Sequence, residues 1–539
     1  MEDPKRRLLI NPAVCEGCGD CSVQSNCISV EPLETEMGRK RTINQSSCNK
    51  DYSCLKGFCP SFVTIDGGKL RSRAPANLAD IGALPEPPTL PPLERPYNIA
   101  IAGVGGTGVL TIGALLGMAA HIEGKASMIL DMSGLAQKGG AVLSHVRLSE
   151  HTADVTCSRI VTGTADLVIA ADEVVAASKD MLTLCEGSRT TGIINSHVIP
   201  TADFIRNRDF NFQSRKLNSV LENSLRKDSS FTDFTHPAEV LLGDSIATNV
   251  MMLGYAYQRG LLPLSAEAIE RAIEVNGVSI KMNTEAFRLG RLAAVDPARL
   301  EVMMQGRDAP HAPKTLEEMS LDEIVAHRTA LLTNYQNAVY AERYKALVGK
   351  VRDAARQGGY GEALPRAVAI NYAKLLAYKD EYEVARLFTD GSFEQLLRDQ
   401  FDGDFKIGFN LAPPILGGAK DALGRPKKRA FGPWMLHVFK WLASMRFLRG
   451  TALDIFGYSP DRKLERELIA AYEKDVADVL AHLSPVTVDI AVELLSLPDR
   501  VRGYGPVKEK AVGDVQARHA QLVADLASPP PAPRQIAAE

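Results

Sequence analysis

The sequence predicts a multidomain chain of mixed α+β and α/β class: a small cysteine-bound domain, a doubly wound α/β domain and an all-α C-terminal domain. Three observations predict it. Seven of the nine cysteines fall before residue 60, strand-like apolar runs alternate with helical periodicity between residues 97 and 295, and the strand pattern fades after about residue 300. A chain of 539 residues suggests about three or four domains. Hydrophobic residues at 45% and charged residues at 24% are ordinary for a globular protein, and a net charge of -3 gives no reason to expect a nucleic-acid partner. The most apolar stretch, Val109 to Ala120, is far shorter than the roughly 20 residues of a membrane span. The first 30 residues hold no signal-peptide core. A cytoplasmic protein without a membrane segment is expected.

Residues 1–74 carry the cysteines and many turn formers, and residues 75–96 are proline-rich, as in a semi-rigid linker. From 97 to 295, the runs YNIAIAGV, SMILD, AVLSHVRLS, DLVIAAD and TGIINS read as strands, with a helix over Gly108–Ile122 and others near Ser245–Arg259 and Ser265–Val275. This alternation predicts a mostly parallel sheet with helices on both faces. Residues 300–527 read as an all-helical domain. Ser320 and Glu323 form a capping box opening one helix that runs to about Gln357, and further helices fall at Pro365–Tyr378, Phe393–Phe401, Lys463–Leu483 and Pro506–Leu526. Residues 528–539 read as a disordered tail.

The cysteines set the chemistry. Cytosolic cysteine clusters point to metal rather than disulfides. The first half reads Cys15-x2-Cys18-x2-Cys21-x5-Cys27, and the second Cys48-x2-Asp51-x2-Cys54-x4-Cys59-Pro60. This matches the duplicated pattern of a two-cluster bacterial ferredoxin, in which three thiolates from one loop and a distant fourth hold each cubane. That crossover assigns Cys15, Cys18, Cys21 and Cys59 to cluster one and leaves Cys27, Cys48 and Cys54 for cluster two. Asp51 stands where the missing thiolate belongs. A carboxylate is a harder and weaker ligand for sulfide-bound iron, so cluster two is expected as [4Fe–4S] with Asp51 as odd ligand, or as [3Fe–4S]. Structural zinc is the alternative, but zinc rarely uses a Cys-x2-Cys-x2-Cys triplet. Cys157 and Cys185 read as buried inert thiols.

Gly103-Val104-Gly105-Gly106-Thr107-Gly108 follows a strand pattern and opens a helix, the context in which glycines let a backbone approach a phosphate at a helix N-terminus. A second glycine-rich loop follows at Ser133–Gly140, where Lys138 is placed to neutralise a phosphate. Asp131 lies 23 residues beyond Gly108, the position of a ribose-binding acid in a nicotinamide fold. Adenylating enzymes use similar loops, and glycines that merely pack helix on strand are the plain alternative.

The segments CEGCGDCSVQSNC, SSCNKDYSCLKGFCPSF, IAGVGGTGVLTIGALLGMAA and GLAQKGGAVLSHVRLS resemble the C-terminal half of the fused indolepyruvate ferredoxin oxidoreductases, members of the 2-oxoacid:ferredoxin oxidoreductases. The resemblance covers nearly the whole chain. It implies a ferredoxin domain, a gamma-type α/β domain and a long helical end. It also implies an oxidative decarboxylation on thiamine diphosphate, with electrons passing through iron–sulfur clusters to an external ferredoxin and the acyl group passing to coenzyme A. Coenzyme A is then the expected ligand of Gly103, Gly105, Gly106, Thr107, Gly108 and Lys138. Gly-Asp-Gly, the mark of a thiamine diphosphate domain, is missing, and Leu242-Gly243-Asp244-Ser245 is the nearest approach to it. The resemblance therefore implies a hetero-oligomer in which a large partner subunit holds thiamine diphosphate and magnesium. No catalytic acid or base is assignable on this chain.

Two other readings stay open. One is an NAD(P)- or flavin-linked iron–sulfur reductase, which the glycine loop and Asp131 allow. The other is a non-enzymatic iron–sulfur scaffold. Near the end, the basic run Gly424-Arg425-Pro426-Lys427-Lys428-Arg429 reads as a solvated loop. The apolar helix after it, with Trp434 and Trp441, reads as a core or subunit-contact helix.

Overall fold

The computed structural model describes residues 5–45, 47–71, 83–105, 108–133, 140–197, 205, 207–209, 214–305, 314–413, 420–421 and 424–529. Strands β1 (Arg6–Ile10) and β4 (Phe62–Leu70) pair antiparallel, with Ile10 opposite Phe62, and β2 (Val30–Leu33) and β3 (Lys40–Ile43) form a separate antiparallel pair. A strand sends alternate side chains to opposite faces. Leu8, Ile10 and Phe62 accordingly join the core that holds the cysteines, while Leu9, Val63 and Ile65 join a second core on the other face. Both faces of this small sheet are therefore covered.

The middle segment is the expected α/β domain. Strand β5 (Tyr97–Val104) leads into helix α1 (Val109–Ile122), followed by β6 (Ala126–Ser133), β7 (Ala141–Ser149), β8 (Leu167–Ala170), helix α2 (Glu173–Ala176), β9 (Thr191–Asn195) and β10 (Ser230–Thr232). The sheet order is β10-β9-β8-β5-β7-β6. The pairs among β5, β8, β9 and β10 are parallel, and β7 is antiparallel to both β5 and β6. The chain moves to one side of β5 for β6 and β7 and to the other for β8. The switch point, where open α/β sheets place ligands, thus lies between β5 and β8. Residues 83–96 have no regular secondary structure but lie on this domain: Leu84, Leu90 and Leu93 pack on its core, and Arg291 donates to the Pro85 carbonyl at 2.7 Å.

The C-terminal region departs from the expected all-α domain. The capping box at Ser320 and Glu323 is present, with hydrogen bonds of 3.2 and 2.8 Å. The expected single helix breaks at Gln336, however, because Asn337 caps a second one: its side chain accepts from Tyr340 N at 2.9 Å. More importantly, β11 (Phe401–Leu411) and β12 (Arg429–Phe431) are strands. β11 pairs antiparallel with β4, giving one sheet in the order β1-β4-β11-β12. The β4 edge of the cysteine-bearing segment is thereby covered. Phe388, Phe393, Phe409 and Phe439 pack on Leu9, Val63 and Ile65, and Phe388 stacks on Phe439 with ring centres 5.4 Å apart. The cysteine-bearing and helical segments therefore share a core.

Other expectations are also corrected. Cys157 is exposed and Cys185 half-buried rather than both buried. Trp434 and Trp441 are exposed, at 56% and 62%, while Met435 and Phe439 of the same helix are buried in the second core, so the helix joins the core on one face and presents both tryptophans on the other. Among the described residues no helix is long and apolar enough to cross a membrane. The tail from residue 530 lies outside the described residues.

Candidate functional site

Cys15, Cys18, Cys21 and Cys59 line one cavity, together with Ile10, Glu16, Asp20, Arg41, Phe58 and Phe62. The spacing does this locally. After Cys15 the chain takes left-handed turns at Gly17 (φ 66°) and Gly19 (φ 76°) before the helix Asp20–Ser25 begins. Each reversal brings the next thiol round toward the same space, and a glycine adopts such a φ without strain. Gly17 N donates to Cys15 Sγ at 3.3 Å, so a backbone donor already faces that sulfur. The second motif repeats the path: Lys50 (φ 58°) and Tyr52 (φ 59°) stand two and four residues after Cys48, as Gly17 and Gly19 do after Cys15, and Lys50 N donates to Cys48 Sγ at 3.4 Å. Here non-glycine residues carry the strained turns.

Electrostatics separates the thiols into the same two groups. Burial pushes the Cys18 thiol up to about 12, and the nearby Cys59 and Cys15 add to the shift. Burial likewise pushes Cys54 up to about 12, with Cys27, Cys48 and Asp51 adding to it. Such thiols give up their protons only to a metal that replaces them. Among the described residues no three His, Cys, Asp or Glu side chains converge as ligands of a single ion. A cubane spreads its thiolates over separate irons, and four thiols around a common cavity fit that donor set. Asp51 is exposed, and its Oδ1 accepts from Ser53 N at 3.0 Å and Ser53 Oγ at 2.9 Å.

Close packing holds the first basket. A Cβ built on Gly57 would lie 2.7 Å from Cys21 Cα, so Gly57→Ala forces the two loops apart. Overpacking of this kind costs about 1–3 kcal/mol. Gly57→Ala is expected to lower the thermal midpoint and speed cluster loss in air, followed as bleaching of the visible absorbance; unchanged bleaching would refute the contact.

Sequence reasoning missed the cover over this site. Lys379 Nζ donates to Cys15 O at 3.1 Å and pairs with Glu16 at 2.7 Å. Burial opposes charge on Glu16, yet Lys379 and Lys40 hold its carboxyl well below the usual carboxylate range. Burial brings Lys40 down to about 8, with Lys379 adding to the shift. Tyr504 Oη donates to Val14 O at 2.6 Å. Arg425, expected on a solvated loop, is 8% exposed: it pairs with Asp20 at 3.0 Å and donates to Lys56 O at 2.9 Å. Lys428 donates to Gly57 O at 2.5 Å. The basic run was visible in the sequence, but its target lies about 370 residues away in the chain.

The two glycine-rich loops meet. Gly103 and Val104 end β5 opposite Val142 and Ala141 of β7, and Gly105 N donates to Gly140 O at 2.8 Å. Gly108 caps α1 with φ 84°, and a Cβ there would lie 2.8 Å from Asn249 Nδ2. Gly106, Thr107 and Lys138 lie outside the described residues. Asp172, across the switch point at the end of β8, is 1% exposed and caps α2 through Val175 N; burial raises its pKa. Asp131 does not sit as a nicotinamide fold requires: β7 intervenes between β5 and β6, and Asp131 accepts from Ser144 Oγ at 2.6 Å.

Residues 98–293 match the family model described as pyruvate ferredoxin/flavodoxin oxidoreductase, and residues 321–521 match a family of unknown function, DUF6537. The indolepyruvate oxidoreductase subunit IorB of Methanothermobacter thermautotrophicus is 31% identical over 204 residues, which span 37% of this chain and 98% of that protein. This chain belongs to the IorB family. The IorB of Pyrococcus horikoshii is 28% identical over 211 residues, 38% of this chain and 100% of that protein. Among solved structures, the gamma subunit of a keto/oxoacid ferredoxin oxidoreductase from Geobacter sulfurreducens aligns at 23% identity over 37% of this chain and 98% of its own, with a TM-score of 0.26. As an IorB-family chain, the protein is a subunit of a 2-oxoacid:ferredoxin oxidoreductase. The IorB match accounts for 37% of it, and the helical segment that covers the cysteines carries the unassigned family.

Proposed function

We propose that this chain is the electron-transfer and coenzyme-A-binding subunit of an indolepyruvate-type (arylpyruvate) ferredoxin oxidoreductase. The overall reaction converts a 2-oxoacid, coenzyme A and two oxidised ferredoxins to an acyl-CoA, CO2, a proton and two reduced ferredoxins. The single observation that carries the proposal is the basket of Cys15, Cys18, Cys21 and Cys59 around one cavity in an IorB-family chain. When bound, iron–sulfur clusters supply one-electron relay between the decarboxylation site and the acceptor. Cys27, Cys48 and Cys54 hold the second cluster, with Asp51 or an open corner as its fourth position.

The chain's own residues do the rest. Ile28, next to Cys27, packs on a core of the α/β segment, a contact that supports electron transfer between the cysteine-bearing segment and that domain. Gly103, Gly105, Gly106, Thr107 and Gly108 are proposed to receive a pyrophosphate at the start of α1, and Lys138 to meet its charge. Thiamine diphosphate and magnesium belong to a large partner subunit. The position of Asp131 weighs against a nicotinamide-linked reductase.

The test is an anaerobic pull-down from native cells. The expected companion carries a Gly-Asp-Gly…Asn motif, and the pair oxidises indolepyruvate with coenzyme A while either chain alone does not. Recovery of no thiamine-dependent companion would leave the scaffold reading in its place. Mild oxidation is expected to produce a three-iron electron paramagnetic resonance signal that Asp51→Cys abolishes. Persistence of the signal in that variant would place the labile corner elsewhere.

A further inference from the structure

The helical segment wraps the cysteine site with cations, and most of them are already answered. Lys379 pairs with Glu16 at 2.7 Å, Arg425 with Asp20 at 3.0 Å and Asp421 at 2.9 Å, and Arg502 with Asp209 at 3.0 Å and Asp499 at 2.5 Å. Lys428 differs. Among the described residues no carboxylate lies within ion-pair distance of it; its Nζ is held by the Gly57 carbonyl at 2.5 Å and lies 5.3 Å from the centre of the Phe62 ring. Gly57 sits against Cys21, and Phe62 lines the first cavity. Burial opposes the charge of the ammonium, which lies within electrostatic reach of Cys59 and Cys21 of the first group, of Cys54 of the second, and of the Asp20 carboxylate that Arg425 already pairs. It is also fixed: β12 begins at the next residue and pairs with β11, and Arg425, three residues earlier, is clamped to the ferredoxin loop.

A positive charge held near an iron–sulfur cluster stabilises the reduced, more negative state, and net charge and solvent exposure are among the determinants of cluster potential. An ammonium already paired with a carboxylate contributes little, because the pair is nearly neutral at a distance. We infer that the helical segment of unknown function serves the electron-transfer site, and that it does so chiefly through Lys428, a fixed cation with no carboxylate at ion-pair distance among the described residues, which raises the reduction potential of both clusters. The inference rests on the iron–sulfur reading proposed above. It gives the DUF6537 region a role that is electrostatic as well as structural.

The experiment is a redox titration, followed by electron paramagnetic resonance, of the full-length chain carrying its clusters under nitrogen. Lys428→Met is expected to move both midpoints to more negative values, Lys428→Arg to leave them near the wild type, and Lys440→Met, an exposed lysine in the same segment, to move neither. Unmoved potentials in Lys428→Met with iron and sulfide intact would overturn the inference, as would an equal shift in Lys440→Met. Loss of iron and sulfide from Lys428→Met would overturn it in favour of a purely structural role. Wild-type protein lacking acid-labile sulfide would instead remove the iron–sulfur reading itself, so the two failures are distinguishable.

Discussion

Cys21→Ser is expected to leave the chain with about half of its iron and acid-labile sulfide. Cys21 lies in the first turn of the helix Asp20–Ser25, is 6% exposed and lies against Gly57. A serine oxygen is a harder and poorer ligand for sulfide-bound iron than a thiolate, and the packed loop has no room to bring in another donor. Cluster binding and folding of the loop are one free-energy change, so this variant is also expected to unfold earlier and to lose electron delivery to ferredoxin. The crossed ligand sets make a sharper test. Cys59, from the second motif, lines the first cavity, whereas burial of Cys54 is felt together with Cys27, Cys48 and Asp51. Cys59→Ser should therefore abolish the same spectroscopic signal as Cys21→Ser, and Cys27→Ser the other one. If Cys59→Ser and Cys27→Ser abolish the same signal, the assignment is wrong.

The second large effect lies in the helical segment. Arg449 is 9% exposed and Asp380 3%. Their guanidinium–carboxylate pair is bidentate, at 2.5 and 2.9 Å, and Arg449 also donates to Tyr335 O at 2.6 Å and lies 3.6 Å from the centre of the Tyr335 ring. Removing one partner of such a buried pair strands the other charge and costs about 3–5 kcal/mol. For a domain of about 200 residues, Arg449→Met should lower the thermal midpoint by about 6–20 °C. A double replacement, Arg449→Met with Asp380→Leu, should recover part of the loss, because no lone charge remains. Asp380 follows Lys379, which holds the Cys15 carbonyl and Glu16. The single variant should therefore also bleach faster in air at temperatures where the fold persists. Calorimetry and absorbance decay measure the two effects separately, and a thermal midpoint unchanged in Arg449→Met would refute the first.

Much of the architecture was legible because it is local. Strand–glycine–helix at Tyr97–Ile122, the capping box at Ser320 and the strands Ala141–Ser149 and Thr191–Asn195 stand where apolar periodicity and caps place them. The break at Gln336 was missed although Asn337 is a good capping residue, because an apolar pattern continues past it. The strand Phe401–Leu411 was missed for a different reason. Phe405, Ile407, Phe409 and Leu411 do alternate with Lys406, Gly408 and Asn410, as a half-buried strand requires. Its partner β4 lies more than 330 residues earlier, however, and an unpaired run of this length among helices carries little weight on its own. The same distance hid Lys379, Arg425 and Lys428. Each reads as an ordinary surface cation until the fold brings it onto the cysteine loops.

The cysteine pattern needed no fold to be seen: Cys15-x2-Cys18-x2-Cys21 and Cys48-x2-Asp51-x2-Cys54 stand at short spacings, and tight turns leave a chain of six or seven residues few ways to close. The α/β segment's glycine loop was set in the same way, by a strand ending where a helix begins. The surroundings of the cysteines were another matter. What covers each face of the small sheet, and which cations are cancelled by carboxylates, depend on contacts between residues hundreds of positions apart. Burial and Coulomb interactions act through space and not along the chain, so only the folded molecule could decide them.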